Sequence, residues 1–242
     1  MSETAREEIN KMAVVRTAVK DNGSGIKPSF TLRGKMEKML GISTNAKLNP
    51  LCQKRHGCGM GCTICENCFA YGDINQYHAF DSNLAHNYEV LSHEIPWGKI
   101  PEIDPVKAPL IRFESHGDLF SDIQCINYFN IALKNRLSSF ALWTKNPWHT
   151  AKAVEKVGKP ANLRLVFSWL YKVGCDEDLQ KAYKTWEAIK EIYPWFDSIF
   201  VVLTKEYAAK HPELVNCGAR DCYKCSVCYT GNEEFIYEIE KQ

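Results

Sequence analysis

The chain carries no surplus of either charge: 30 Lys+Arg stand against 29 Asp+Glu, a formal net charge of +1. Duplex DNA is bound largely through neutralised phosphates, so this balance argues against a nucleic-acid partner. Long apolar runs are missing too. No stretch approaches the roughly 20 apolar residues of a membrane span. The opening Met1-Ser2-Glu3-Thr4-Ala5-Arg6-Glu7-Glu8 contains no apolar signal core. Together these absences predict a cytoplasmic protein with no membrane partner. No internal repeat and no low-complexity tract is visible, which excludes a solenoid or an array. The apolar fraction, 45%, is ordinary and sufficient for a full core.

Cysteine is what the chain has in excess. Nine of its 11 cysteines fall in two clusters on either side of a cysteine-poor middle. Cys62, Cys65 and Cys68 are spaced C-x2-C-x2-C, with Cys52 and Cys58 upstream; Cys222, Cys225 and Cys228 repeat the spacing, with Cys217 upstream. This is the spacing with which bacterial ferredoxins wrap a four-iron, four-sulfur ([4Fe-4S]) cluster, taking a further thiolate from elsewhere. Two rivals exist. Disulfides need an oxidising compartment and leave one thiol of an odd count unpaired. Zinc held by Cys65 and Cys68 with Cys222 and Cys225 makes a four-thiolate site but leaves Cys62 and Cys228 idle. The triple spacing therefore predicts one or two [4Fe-4S] clusters, with zinc as the alternative metal. Which cysteines share a cluster stays open: each loop can hold its own, exchange a distal ligand, or join the other around one cluster.

The remaining pattern alternates. Residues 1–38 read as a loosely ordered or docked lead-in, and 39–242 as a single domain. Strands are predicted at Met39–Ser43, Leu110–Glu114, Ser139–Trp143, Leu163–Trp169 and Ser198–Leu203. Helices are predicted around Phe80–Leu91, from Ser121 onward (capping box with Gln124, apolar Ile123, Ile126, Phe129 and Leu133), over Thr150–Val157 ending at Gly158, and after Asp176 as cap, with Leu179, Tyr183, Trp186, Ile189 and Tyr193 on one stripe. Strand–helix alternation means a parallel α/β sheet. Active groups on such sheets gather at the carboxyl ends of the strands. Both cysteine clusters and Glu114-Ser115-His116-Gly117-Asp118 follow strands, so they are expected to meet at that edge.

Cys58, Cys62 and Cys65 also form C-x3-C-x2-C, which resembles the radical-SAM superfamily. The resemblance implies a (βα) barrel whose cluster leaves one iron open to S-adenosylmethionine (SAM). Here Ile64 stands where an aromatic is usual, and no Gly-Gly-Glu segment is present. A closer resemblance is to a phage-associated family known as the "gene product eighty-eight" domain, which looks like a reduced barrel of this type. It rests on Cys68-Phe69-Ala70, Arg112 to Asp118, Phe140 to Lys145, Asn162 to Ser168 and Cys217 to Cys228. The resemblance implies a partial or small parallel barrel with an iron–sulfur cluster, in a phage protein working in the host cytoplasm.

Glu114, His116, Asp118 and Lys145 are the candidate cofactor-binding residues, because all four end strands beside the expected cluster. Each has a plainer alternative: an ion pair with Arg112 for Glu114, a helix cap for Asp118, a backbone partner for His116, solvent for Lys145. Arg55 and His56 are expected to tune thiolate charge. Cys125 reads as a buried thiol, Cys175 has no assigned role, and Trp143, Trp169 and Trp186 read as core. Three functions follow: a radical-SAM-like enzyme acting on a small molecule, a non-enzymatic iron–sulfur protein with a redox partner, or a zinc-stapled adaptor.

Overall fold

The structure, a computed structural model, describes residues 17–30, 35–37, 39–56, 63–66, 68, 70, 78–218 and 221–240. In chain order the elements are β1 (Val19–Lys20), β2 (Ser29–Phe30), β3 (Leu40–Ile42), α1 (Pro50–His56), α2 (Thr63–Glu66), α3 (His78–Leu91), β4 (Glu102–Ile103), β5 (Leu110–Phe113), α4 (Asp122–Lys134), β6 (Ser139–Thr144), α5 (His149–Val157), β7 (Leu163–Val173), α6 (Asp176–Ile192), β8 (Ser198–Leu203), α7 (Lys205–Lys210), α8 (Cys222–Cys225), α9 (Val227–Thr230) and β9 (Phe235–Ile239). Seven strands form one sheet in the order β2-β3-β5-β6-β7-β8-β9. From β3 to β9 every pairing is parallel; β2 joins antiparallel at one edge.

The sheet is α/β and mostly parallel, as the alternation predicts, but it is open and not a closed barrel. Its two ends explain why. On one side the two-residue β2 ends the ladder. On the other, the free edge of β9 is already occupied. Asn216 Nδ2 donates to the Phe235 carbonyl at 2.7 Å, Tyr237 N donates to Asn216 Oδ1 at 2.8 Å, and Cys217 N donates to the Tyr237 carbonyl at 3.0 Å. These bonds occupy the middle of the edge that a closing strand would need.

Strand alternation sorts the side chains onto two faces. Ile42, Ile111, Phe113, Phe140, Leu142, Leu165, Phe167, Ile199 and Val201 belong to the main core, with Phe129 and Ile131 of α4, Ala153 of α5, Trp186 of α6 and Tyr207 of α7. The other face carries Met39, Leu110, Ala141, Val166, Phe200 and Ile236. In a closed barrel that face fills the interior. Here it is covered by α9, which packs on β6 and β7, and by α2, which packs on β7.

Local signals behave as chemistry dictates. Ser121 Oγ accepts from Gln124 N at 3.1 Å, and Gln124 Oε1 accepts from Phe120 N at 2.8 Å, a capping box reaching one residue further back than usual. The stripe is rotated from the expected one: Ile126 and Phe129 are buried, whereas Ile123 is 39% exposed. α5 stops at Gly158, whose φ of +73° suits a residue without a Cβ. α6 has Cys175, not Asp176, at its cap position; Asp176 lies in the first turn and accepts from the Tyr207 hydroxyl at 2.7 Å. The described part of the lead-in is docked. β1 pairs with β4, and Asn87 bonds both the amide and the carbonyl of Lys27.

Candidate cysteine-lined site at the carboxyl edge of the sheet

A cavity of about 640 Å³ opens over the carboxyl ends of β5 and β6 and the face covered by α2 and α9. Of the expected metal ligands, Cys52, Cys65 and Cys68 line it from the first cluster, and Cys217, Cys222, Cys225 and Cys228 from the second. Cys52, Cys68, Cys217, Cys222, Cys225 and Cys228 are free thiols. Cys58 and Cys62 lie outside the described residues. Among the described residues, no three His, Cys, Asp or Glu side chains are grouped closely enough to hold one metal ion. Glu114, His116, Asp118 and Lys145 line the same cavity, so two segments more than 140 positions apart in the chain and the strand-end residues share one space.

The second cysteine segment is tied down along its length. Asp221 caps α8 by accepting from Tyr223 N and Lys224 N, and Cys222 N donates to the Lys35 carbonyl at 2.6 Å. Ser226, at φ +49°, is left-handed and turns the chain between α8 and α9. That conformation is uncommon for a residue with a Cβ, and it places Cys225 and Cys228 on successive short turns. Arg164 of β7 holds the far side. Its guanidinium donates to the carbonyls of Val227, Gly231 and Glu233 and to Ser198 Oγ. These bonds satisfy both terminal nitrogens of the buried cation without a carboxylate, while its Nε is buried without a partner among the described residues.

The thiols experience competing forces. Burial pushes Cys228 up to about 12 and Cys217 up to about 11, and their neighbouring cysteines push in the same direction. Arg112 pulls Cys228 down; Lys35 pulls Cys217 down; both act on Cys222, which burial nevertheless leaves raised. Burial raises Cys52 most strongly, with Lys145 opposing it. Arg112 itself is 9% exposed and lies over the Trp143 ring, 3.6 Å from its centroid. Across the sheet it sits in one row with Gly41, Ala141 and Arg164, the small residues leaving room for the two long cations.

The strand-end carboxylates are committed to the protein. Glu114 accepts from Thr44 N (3.2 Å), Thr44 Oγ1 (3.0 Å), Gln124 Nε2 (2.5 Å) and the Tyr128 hydroxyl. Burial pushes its carboxyl up to about 8, against the pull of the Tyr128 and Thr44 hydrogen bonds. It forms no ion pair with Arg112, contrary to the alternation on the strand. Its φ of +54° breaks the strand period and turns the side chain toward α4. Asp118 does not cap α4, since Ser121 does. Instead it accepts from Thr144 Oγ1 at 2.6 Å, from Lys145 N at 3.2 Å and from Leu119 N at 2.8 Å, and it pairs with Arg55 at 3.4 Å. Arg55 thus braces α1 against β5 and β6. His56 Nδ1 meets the Cys65 carbonyl at 2.9 Å. His116 Nδ1 meets Ser115 Oγ at 2.9 Å, and that hydroxyl meets Ser43 Oγ at 2.8 Å.

Sequence reasoning passed over Arg164, Asn216, Thr44, Gln124 and Tyr128 as site-building residues, and took Arg112 and Trp143 as an ion-pair partner and core. One signal was present: an arginine at an inward position of two otherwise apolar strands. Trp169 and Trp186 are buried core as expected, Cys125 is a fully buried thiol, and Cys175 is exposed, its Sγ 3.3 Å from Asp178 Oδ2. No helix among the described residues is long and apolar enough to cross a membrane. Compared with protein-family models, with curated proteins and with solved structures, the chain has no match in any of the three.

Proposed function

We propose that this protein binds one or two [4Fe-4S] clusters in the cavity at the carboxyl edge of its sheet, and acts as a radical-SAM-like enzyme on a small molecule. The observation that carries the reading is the shared cavity: cysteines from both ends of the chain line it together with Lys145, His116 and the second segment's counter-cations. The donor set suits the group in kind, since free thiols flanked by Arg112, Lys35 and Lys145 favour an anionic iron–sulfur centre over neutral thiols. Cys62, Cys65 and Cys68 with Cys58 or Cys52 would hold it from one side, and Cys222, Cys225 and Cys228 with Cys217 from the other. Such a cluster supplies one-electron chemistry when bound. The chain's own part is mechanical and electrostatic. Arg164, Asn216 and Asp221 orient the second segment, Arg112 and Lys35 lower the cost of thiolate charge, and Asp118 fixes the β5 and β6 ends beside it.

A second reading, a non-enzymatic redox or structural iron–sulfur protein, is favoured by one observation. The carboxyl groups of Glu114 and Asp118 are taken up by protein donors, which leaves neither plainly offered to a substrate. Iron and sulfide analysis with EPR on protein purified without oxygen separates the readings. Near four or eight irons with matching sulfide, and a reduced-state signal that shifts on adding SAM, is the expected result for the enzyme. The same iron with no shift supports the second reading. Zinc without iron overturns both in favour of the adaptor.

A further inference from the structure

We infer that the cavity also takes a small anion of phosphate-monoester charge, with Lys145 as its principal partner and Arg112 as the second cation of the wall. This deepens the cluster reading by naming what shares the cavity, and its test is arranged so that either can fail alone.

The argument is a charge account. Three lining cations are each matched by a carboxylate: Arg55 by Asp118, Lys35 by Glu238 at 2.7 Å, and Lys172 by Glu240 at 2.6 Å. The remaining lining carboxylate, Glu114, is bonded to Thr44, Gln124 and Tyr128. Among the described residues, Lys145 and Arg112 have no carboxylate within ion-pair distance, although both line the cavity and Arg112 is nearly buried. Half-buried cations without a counter-ion are costly, and a cavity wall that keeps two of them attracts negative charge. Lys145 supplies the direct contact, and Arg112, whose register partner is Ala141 and not Lys145, adds from further down the wall to a positive field that favours a doubly charged oxyanion over a single carboxylate.

The thiolate cluster is itself an anion, so the test must distinguish the two. Inorganic phosphate is titrated calorimetrically into chelator-treated protein and into protein reconstituted with iron and sulfide without oxygen. Expected is binding to both, weakened about tenfold or more by Lys145→Gln, restored by Lys145→Arg, and unchanged by Lys152→Gln on the surface. Circular dichroism checks that each variant is folded. Binding to the chelator-treated protein alone means that the cationic wall serves only the cluster, which overturns the proposal and leaves the cluster reading intact. Absence of binding, or indifference to Lys145→Gln, overturns it outright. If no iron is taken up yet phosphate binds through Lys145, the cluster reading fails and this one stands.

Discussion

At the scale of the residue, Glu114 concentrates most of the physics. A carboxyl group that is fully buried and surrounded by four donors is held close to the neutral form. Its folded-state value, about 8, lies above the ordinary 4.5. The folded protein therefore holds a proton that the unfolded chain releases, and stability is greatest below the ordinary value. It declines as pH rises through the interval between the two. Glu114→Gln keeps the shape and most of the bonds without the charge. It should flatten the fall in melting temperature between about pH 5 and pH 8; a variant with the wild-type slope would remove Glu114 as its source. Gly117 is the second sensitive position. A Cβ there would meet the Thr44 carbonyl at 2.9 Å and run into the Glu114 carboxylate. Gly117→Ala should cost about 1–3 kcal/mol in urea unfolding. The sequence announced this stretch as important but not why. A left-handed backbone at Glu114 is invisible in a run such as Arg112-Phe113-Glu114, so the alternation rule pointed that side chain at Arg112 when it faces α4.

At the scale of the element, the second cysteine segment is a pair of single helical turns too short to persist alone. Its position is borrowed from Arg164, from the Asn216 and Cys217 bonds to β9, and from the Lys35 carbonyl. Arg164→Met takes the guanidinium donor from the Gly231 carbonyl and one of two donors from each of the Val227 and Glu233 carbonyls, and should destabilise the protein by about 2 kcal/mol. It should also lower iron content after reconstitution. A fall in stability with full iron retention would show that Arg164 braces the sheet without orienting the thiols. Elements with strong periodic or capping signals were legible here: β5, β6, β8, α5 and the Ser121 cap all lie within a residue or two of where pattern places them. β9 was not, although Phe235-Ile236-Tyr237 is a β-prone run: it follows two single helical turns instead of a long crossover helix, and its ladder to β8 is a tertiary pairing.

At the scale of the whole molecule, an open arc of parallel strands replaces the closed barrel, and cysteine-bearing turns replace the missing interior. Strand–helix alternation specifies parallel order equally well for either shape. Closure depends on whether the two edge strands find each other, which is a property of edges and not of the repeat. If a cluster joins both segments, it links residues from opposite ends of the chain. Metal occupancy should then raise the melting temperature of the entire domain, and anaerobic chelation should lower it. Replacing Cys225 with serine should abolish that increment along with part of the iron. Equal melting temperatures with and without iron would confine any metal to one segment.

The order of the strands carries one more consequence. Residues 217–239 supply four of the lining thiols, the helical turns over the inner face, and the strand that β8 needs as its neighbour. During synthesis these residues leave the ribosome after β3, β5, β6, β7 and β8 have already emerged. The nascent chain therefore presents a sheet face not yet covered by α9 and an incomplete thiol set until residues 217–239 arrive. Whatever is held by both cysteine segments can be delivered only after β3 to β8 and the second segment have all emerged.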